Sequence, residues 1–283
     1  MVAKRTKTAV AAPAPQGAIK DVGRAHPLAC GAAWAARQGV MDWLAPIRLA
    51  VDAVLPPRCP GCGAVTGADH EFCAGCWSQL RFLAPPWCAA CHTPFTVDRG
   101  ATARCARCIA APPAHRGVRA AVGYDDLSAA MVLRLKYGGH YALATTLAQH
   151  MARMLPEDAT LLVPVPLHPR RLWGRGFNQA GEIARALGKI GGVAVDPHLL
   201  RRVRATPVLR GLGGGARLAA VDRAFAIASG RAAAAVGKAV VLVDDVYTSG
   251  ATTAACTRVL LKAGAASVTI LCWARVIAQS AGD

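Results

Sequence analysis

The chain has 283 residues, 54% hydrophobic and 17% charged, which suits one core of ordinary size plus a small accessory module and excludes a largely disordered protein. Lysine and arginine number 33 against 16 acidic residues, a formal net charge of +17. This balance excludes an acidic solvating protein and indicates anionic partners such as nucleic acid or phosphorylated metabolites, with a lipid surface less favoured. Aromatic residues make up 5%, which argues against a surface built mainly from base-stacking platforms.

Residues 1–56 are predicted to form a flexible basic tail and an amphipathic helix. The first twenty residues are basic and rich in alanine and proline, without the apolar run of a signal peptide. The helix, Trp34–Leu55, ends at Pro56-Pro57. Packing on the main body is favoured for it over docking on a membrane or a partner. Since no window reaches about 18 uninterrupted apolar residues, the sequence predicts a cytoplasmic protein with no membrane span.

Residues 57–112 are predicted to form a double zinc ribbon. Eight of the 11 cysteines fall in four Cys-x-x-Cys pairs: Cys59/Cys62, Cys73/Cys76, Cys88/Cys91 and Cys105/Cys108. Each pair places two thiolates on one side of a tight knuckle, and two knuckles supply the tetrahedron that Zn²⁺ prefers. A disulfide framework is disfavoured because the chain shows no secretion signal. A redox site is disfavoured because the motif occurs four times in so short a segment.

Two structural zinc ions are therefore expected, each held by four cysteines and neither of them catalytic. Sequential quartets, made from the first two pairs and from the last two, are favoured because each closes a short hairpin; an interleaved arrangement stays open. His70 and His92 lie nearby but are not needed as ligands. Cys30, Cys256 and Cys272 are expected to be ordinary tail or core residues.

Residues 113–278 are predicted to form an α/β domain that begins after Pro112. Continuous apolar runs alternate with helical patterns, which is typical of a parallel sheet covered by helices on both faces. The predicted strands are Ala120–Tyr124, Leu161–Val165, Val240–Val243 and Ser267–Trp273. The predicted helices are Ser128–Leu135, Tyr141–Leu155, Gly176–Leu187 and Thr252–Ala263.

The segment from Val240 to Ala255 predicts a phosphate-binding site. A buried strand delivers two adjacent acids, Asp244 and Asp245, at its C-terminal edge, and a Thr-Ser-Gly-Ala-Thr loop then leads into a helix. Hydroxyl and backbone N–H groups at a helix N-terminus suit a phosphate dianion, and Gly250 lets the backbone approach it closely. The carboxylates suit a ribose diol or its Mg²⁺. A plain helix cap or turn is the structural alternative.

Val240–Thr252 resembles the motif with which type I phosphoribosyltransferases bind PRPP, 5-phosphoribosyl 1-pyrophosphate. Upstream, the segment VPVPLHPRRLWGRGFNQA from Val163 to Ala180, preceded by LRLKYGGHYALA, resembles the competence-associated ComF family within that superfamily. The resemblance covers roughly residues 55–276, the double zinc ribbon included. It implies a type I phosphoribosyltransferase-like parallel sheet flanked by helices, preceded by the zinc ribbons, and a site for PRPP with Mg²⁺.

The resemblance also implies roles for individual residues. Asp244 and Asp245 would contact the ribose hydroxyls directly or through Mg²⁺. With Arg175, they would support catalysis by positioning PRPP and neutralising the departing pyrophosphate. The residues implied to bind PRPP are Thr248, Ser249, Gly250, Ala251, Thr252, Val165, Pro166, Leu167, His168, Arg171, Asn178 and Arg217, with the pyrophosphate loop at residues 164–168.

Two departures from the family pattern bear on turnover. Thr248 stands where purine-salvage relatives carry an aspartate base, which disfavours a purine-salvage role. The frame of the family's mobile loop persists across residues 206–225. The Gln, Glu and Asn expected within that frame are replaced by Leu209, Ala216 and Ala220. A loop so poor in polar groups is expected to close badly over PRPP, so binding would persist where turnover is weak.

Two functions are compatible with these features. One is an active phosphoribosyltransferase of nucleotide metabolism that transfers ribose 5-phosphate to an unknown acceptor. The other, which we favour, is a ComF-type protein that keeps the PRPP site and acts in DNA uptake, natural transformation or DNA processing. Its basic charge and zinc ribbons would then serve single-stranded DNA or a helicase-type partner. The arginine-rich stretch Arg201–Arg223 is a solvated face, a DNA-contacting surface or the lid over PRPP.

Overall fold

The computed structural model describes residues 55–139, 141–204 and 223–277, and the chain from Leu55 onward forms one compact unit. The predicted tail and helix up to residue 54 lie outside the described residues, as do Cys30, Arg217 and most of the mobile-loop frame. Within the three described ranges, no helix combines the length and the apolar character needed to cross a membrane.

A four-stranded parallel sheet forms the centre of this unit. The strands of the chain are β1 Val118–Gly123, β2 Leu161–Pro164, β3 Leu200–Arg202, β4 Phe225–Ile227, β5 Ala239–Tyr247 and β6 Ser267–Arg275. The sheet has the order β1-β6-β5-β2, while β3 and β4 form a separate antiparallel pair. In the register, Leu162 of β2 lies opposite Val241 of β5, and Leu242 lies opposite Ile270 of β6.

Seven α-helices are present in the described part of the chain. They are α1 Ala74–Gln79, α2 Ala106–Ala110, α3 Asp126–Tyr137, α4 Ala142–Ala152, α5 Pro169–Arg175, α6 Gln179–Gly191 and α7 Ala251–Lys262. A capping box begins α3: the Asp125 carboxylate accepts from the backbone N–H of Ser128, and the Ser128 hydroxyl accepts from that of Asp125. Such reciprocal bonds satisfy two N–H groups that the first helical turn leaves without partners.

Helices cover both faces of the sheet. On one face, α3, α4 and α6 bury Met131, Leu147 and Ile183 against β2, β5 and β6. On the other face, α7 buries Cys256 and Leu260 together with the apolar side chains of β3 and β4. The α/β class with a parallel sheet flanked by helices, predicted from the alternating apolar runs, is confirmed.

The connections that follow the neighbouring strands β2 and β5 lie on opposite faces of the sheet. After β2 the chain forms α5 and then α6, which packs on the first face, whereas after β5 it forms α7 on the second face. Neighbouring parallel strands whose connections diverge in this way leave a crevice at their carboxyl ends. The predicted pyrophosphate loop, residues 164–168, follows β2, and the predicted phosphate-binding loop, residues 248–252, follows β5. Both loops therefore border this crevice. We refer to residues 248–252 as the phosphate loop.

The main differences from the prediction concern β5, the segment around α5 and α6, and the β3–β4 pair. β5 continues to Tyr247, because its last residues still pair with β6, and Asp244 and Asp245 therefore lie within the strand. The helix predicted at Gly176–Leu187 is α6, which begins at Gln179 and continues to Gly191, because Gly176, with a φ of 82°, is the C-cap of the preceding helix α5. Pro169 begins α5, a segment without apolar periodicity that gave no helical signal. The short β3–β4 pair was not predicted.

Candidate functional site

The structure groups the eight paired cysteines into two quartets. In each quartet the four Sγ atoms lie within 4.8 Å of one another: Cys59, Cys62, Cys73 and Cys76 in the first, and Cys88, Cys91, Cys105 and Cys108 in the second. Zinc–thiolate bonds of about 2.3 Å place tetrahedral sulfurs about 3.8 Å apart, and the Sγ atoms of Cys91 and Cys105 are 3.8 Å apart. The donor set fits two closed Zn²⁺ sites, and the sequential arrangement of the quartets is confirmed.

Backbone amides prepare one cysteine of each quartet for metal binding. The N–H of Cys73 donates to Cys59 Sγ at 3.3 Å, and the N–H of Cys105 donates to Cys88 Sγ at 3.3 Å. Burial raises the pKa of Cys59, but the surrounding N–H donors outweigh it and lower the pKa to about 6; the same causes bring the pKa of Cys88 to about 6. Because the thiolate is the metal-binding form, these N–H donors favour the form of each cysteine that binds Zn²⁺.

Hydrogen bonds join the first zinc ribbon to α3 and α4. The guanidinium of Arg134, on α3, donates to the carbonyl oxygens of Pro60 at 3.0 Å and Gly61 at 2.7 Å. The His70 ring nitrogen Nδ1 lies 2.9 Å from the Thr146 hydroxyl on α4. His70 therefore links the ribbon to the helical layer.

The second zinc ribbon contacts the end of β6 and the phosphate loop. Arg275, the last residue of β6, is buried and donates to the carbonyl oxygen of Cys91 at 2.8 Å. Its guanidinium also lies 5.2 Å from the ring centre of Tyr247 at the end of β5. On α2, Arg107 donates to the carbonyl oxygen of Ser249 at 3.4 Å. This ribbon thus borders the segment that was predicted to bind phosphate.

The cysteines outside the quartets that the structure describes are core residues. Cys256 and Cys272 are fully buried in the apolar layer between the sheet and α7, which confirms their prediction as core residues.

His92 packs against Trp87, with ring centroids 5.2 Å apart. Burial, together with the nearby Arg119 and Arg275, lowers the pKa of His92 to about 4.

Asp244 and Asp245 form an acid pair near the carboxyl end of the central strand. Asp245 is buried, lies 2.7 Å from the Lys136 ammonium of α3, and accepts a hydrogen bond from Gln179 Nε2 of α6 at 3.2 Å. Burial and the neighbouring Asp245 carboxylate raise the pKa of Asp244 well above its ordinary value. A bound cation, or a diol donating hydrogen bonds, would therefore be favoured beside Asp244.

Arginine side chains surround the acid pair. Arg175, predicted to support catalysis, donates to Gln179 Oε1 at 2.7 Å and so reaches the acid pair through that amide. Burial and the nearby Arg171 lower the pKa of Arg202, whereas Asp244 acts in the opposite direction. Arg202 therefore lies within electrostatic reach of both Arg171 and the acid pair.

Three residues belong to this site although the sequence did not assign them to it: Lys136, Gln179 and Arg202. Lys136 stands inside the quoted LRLKYGGHYALA segment, but nothing local to that segment shows that its ammonium meets an acid far along the chain. Gln179 and Arg202 carry ordinary surface residue types, and only the packing of α6 and β3 brings them to the crevice. A basic residue close to the end of an apolar helix is the sole signal that could have singled out Lys136.

The phosphate loop turns sharply at Gly250, which has a φ of 78° and is the N-cap residue of α7. A Cβ atom at this position would lie 2.2 Å from the Tyr247 hydroxyl, so only glycine fits. No side chain caps the helix at Gly250, and the first N–H groups of a helix have no intrahelical partner. Thr248 is exposed, and Ser249 and Thr252 are half-buried, so the loop offers hydroxyls together with these amides.

The pyrophosphate loop is held by backbone bonds to β5 and by Asn178. Val165 donates its N–H to the carbonyl oxygen of Val243 at 2.9 Å and accepts from Asn178 Nδ2 at 3.0 Å. The Asn178 carbonyl oxygen in turn accepts from Ala180 N–H at 3.2 Å at the start of α6. Asn178 was predicted to bind PRPP; in the structure its side chain positions the loop. His168 accepts from a backbone N–H at the start of α5.

Two open clefts extend from these loops. One, of about 800 Å³, lies between the pyrophosphate loop and the β3 segment, with Arg201, Arg202 and Arg231 among its lining residues. The other, of about 720 Å³, lies between the second zinc ribbon and α7, and reaches Ser249, Gly250 and Ala251. Arginines also line the second cleft, and none of its described lining residues is acidic. Both clefts therefore favour anionic ligands.

Comparison with known proteins identifies relatives across most of the described chain. A family model for the double zinc ribbon domain matches residues 50–109. The DNA utilization protein YhgH of Salmonella typhimurium is 33% identical over 184 residues, which cover 61% of this chain and 78% of that protein. Competence protein F of Haemophilus influenzae is 26% identical, covering 75% and 94%. Competence protein ComFC of Bacillus subtilis is 28% identical, covering 70% and 81%.

Among solved structures, the allosteric regulatory enzyme of purine biosynthesis aligns with 46% of this chain at 20% sequence identity and a TM-score of 0.32. The alignment covers 25% of that enzyme's chain. A likeness at this level carries no argument about activity.

We expect two zinc ions per chain and one per chain in the Cys59→Ser variant, because the second quartet is separate from the first. The free energy of metal binding is part of the folding free energy of so small a module. Cys256→Ala, which changes a buried cysteine outside both quartets, is the matched control and should retain two. Elemental analysis of the purified proteins measures the ratio; two zinc ions in Cys59→Ser would contradict the assignment.

Lys136→Met should lower the free energy of unfolding by about 1–3 kcal/mol, because it leaves the buried Asp245 carboxylate without its cation. The double variant Lys136→Met/Asp245→Asn removes that uncompensated charge and should recover part of the loss. Urea unfolding of the wild type and both variants provides the measurement. A double variant no more stable than Lys136→Met would show that the ion pair does not stabilise the fold in this way.

Proposed function

Because the chain belongs to the ComF family of competence and DNA utilization proteins, we propose that it is a cytoplasmic protein that binds PRPP or another phosphorylated ribose. We propose further that this binding serves DNA uptake or DNA processing. The observation that supports the proposal is the crevice between β2 and β5, where the acid pair lies beside the two loops proposed to bind anions. In this proposal, residues 113–278 form the phosphoribosyltransferase-like domain and residues 57–112 the double zinc ribbon.

The phosphate loop, residues 248–252, would hold the 5′-phosphate. Its supporting features are the N–H groups at the start of α7, the hydroxyls of Thr248, Ser249 and Thr252, and the sharp turn at Gly250. Helix N-termini combine free donors with a favourable dipole for a phosphate dianion. The cleft beside this loop, lined by arginines, adds positive potential without competing acids.

The acid pair would contact the ribose diol. Asp244 and Asp245 supply the oxygen donors that Mg²⁺ prefers, and the raised pKa of Asp244 reflects a carboxylate that burial and its neighbour disfavour. Mg²⁺ bound here would neutralise charge on the acids and on the pyrophosphate of the ligand. Lys136 already balances the charge of Asp245, so bound Mg²⁺ would stabilise the charged form of Asp244 more than that of Asp245.

The pyrophosphate loop would receive the pyrophosphate group of PRPP. Val165 to His168 follow β2 at the same edge of the sheet, and Arg171 follows on α5. Guanidinium groups bind phosphate oxygens through short, charge-assisted hydrogen bonds. Arg202, within electrostatic reach of Arg171, would join them. We also propose that Arg217, which lies outside the described residues, contributes to a lid over PRPP.

Single-stranded DNA and a helicase-type protein are the proposed partners. The net charge of +17 and the arginine-lined clefts support a polyanionic partner. The relatives are named for competence and for DNA utilization, which favours DNA over other polyanions.

We expect calorimetry with PRPP and Mg²⁺ to show binding by the wild type and at least tenfold weaker binding by Gly250→Ala, because the new Cβ would displace Tyr247 and reshape the loop. Gly237→Ala is the matched control. Gly237 also has a positive φ, 68°, so both variants carry the same kind of backbone strain. A Cβ atom at Gly237 would meet nothing within 4 Å, and Gly237 lies just before the amino end of β5, away from the phosphate loop. Wild-type protein without affinity for PRPP, or equal effects of the two variants, would contradict the site.

Transfer of ribose 5-phosphate is the second candidate function. The observation that favours it is the retained acid pair, coupled to Arg175 through Gln179. In such a transfer the acceptor forms a bond to ribose C1 as the bond from C1 to pyrophosphate breaks. The chain's own groups would position PRPP and stabilise the charge on the departing pyrophosphate.

Release of pyrophosphate from PRPP, measured with nucleobase acceptors, separates binding from transfer. If the chain is an enzyme, Arg175→Gln should lower the rate by about tenfold or more, while PRPP affinity changes less, because its charge matters most as pyrophosphate departs. If the chain only binds PRPP, release in the wild type should equal that in buffer. Either result leaves the binding proposal to be decided by calorimetry.

A further inference from the structure

Three exposed aromatic side chains and the half-buried Phe177 lie near the pyrophosphate loop. Tyr137 ends α3, Tyr141 immediately precedes α4, Trp173 lies on α5, and Phe177 follows α5. Trp173 is 92% exposed, Tyr137 75% and Tyr141 54%. Trp173 lies two residues before Arg175, a spacing at which helical side chains point to different sides, so we refer to Tyr137, Tyr141, Phe177 and Arg175 as the aromatic–arginine surface. The low aromatic content of the chain gave no indication of it.

Contacts between its members hold three separate segments side by side. The rings of Tyr141 and Phe177 meet edge to face, with centroids 4.7 Å apart. The Arg175 guanidinium lies 5.1 Å from the ring centre of Tyr137. Single exposed apolar side chains are ordinary on a protein surface, whereas neighbouring ones indicate an interaction site. The surface is therefore a candidate for binding a partner with flat apolar groups.

The charge around these rings determines the kind of partner. Helix α5 carries Arg170, Arg171 and Arg175 and no acidic residue. An apolar protein surface placed here would leave these guanidinium groups without counter-charges, which costs free energy. Unpaired nucleic acid offers flat bases and phosphates together, and proteins bind it with aromatic side chains inside a positively charged groove. A duplex does not, because its bases remain stacked on each other.

We propose that the aromatic–arginine surface stacks the unpaired bases of single-stranded DNA. This rests on the DNA role proposed above and is independent of whether PRPP is turned over. Hydrogen bonds run from Arg175 to Gln179 at 2.7 Å and from Gln179 to Asp245 at 3.2 Å. A strand bound to this surface therefore lies beside the acid pair, so that DNA and a phosphorylated ribose occupy adjoining sites.

The test is fluorescence anisotropy of the full, zinc-loaded chain with a labelled oligothymidylate at two salt concentrations. Tyr141→Ala and Tyr137→Ala should each weaken binding by about fivefold to a hundredfold, the range of a lost base stack. The dependence on salt should be unchanged, because neither variant removes a phosphate contact. Tyr137→Phe should bind like the wild type. Leu133→Ala, on the same helix and 52% exposed, is the matched control and should also bind normally.

The outcomes separate this surface from the wider DNA role. Normal binding by Tyr141→Ala and Tyr137→Ala, or an equal loss in Leu133→Ala, would overturn the surface while leaving the DNA role intact. A wild-type chain that binds vesicles of anionic lipid and no oligothymidylate would overturn both. PRPP affinity of Tyr141→Ala, measured by calorimetry, should match that of the wild type. Matching thermal unfolding midpoints show that a lost affinity does not come from a lost fold.

Discussion

Two adjacent carboxylates in a buried strand are the constraint around which this crevice is organised. Successive side chains of a strand point to opposite faces of the sheet, so Asp245 faces the layer of α3 and α6, and Asp244 faces the layer of α7 and β3. Each acid has a cation on its own side: Lys136 at 2.7 Å from Asp245, and Arg202 within electrostatic reach of Asp244. The carboxylates would otherwise be too costly to bury together. Both helical layers are thus tied to the same edge of β5.

The zinc ribbons extend this arrangement on two sides. Arg134, two residues before Lys136 on α3, holds the first ribbon through backbone carbonyls, so the helix that supplies a cation to the acid pair is also fixed from outside. The second ribbon is joined to the sheet by Arg275 and to the phosphate loop by Arg107. A module of this size has little apolar core of its own, and thiolate–zinc bonds replace it. The cysteine quartets are therefore held against the borders of the crevice.

Features that are encoded locally could be predicted from the sequence, and features that depend on distant contacts could not. The cysteine quartets, the apolar strands and the Asp-Asp/Thr-Ser-Gly segment each lie within a short stretch, where spacing alone indicates the chemistry. Lys136, Gln179 and Arg202 reach the acid pair only because α3, α6 and β3 pack around β5. Helix α5 was missed for another reason: a helix that begins at a proline and buries none of its residues has no apolar face to detect.

The aromatic content of the chain does not indicate where its rings lie. A content of 5% describes the average over the chain, whereas a binding surface depends on how many rings share one place. Gly138-Gly139 and Gly176 interrupt the helices beside Tyr137, Tyr141 and Phe177 and let three segments meet. Because Arg175 belongs both to this surface and, through Gln179, to the acid pair, a change in either neighbour would alter the position of the same guanidinium. Base stacking and ribose binding would then be coupled through a single side chain.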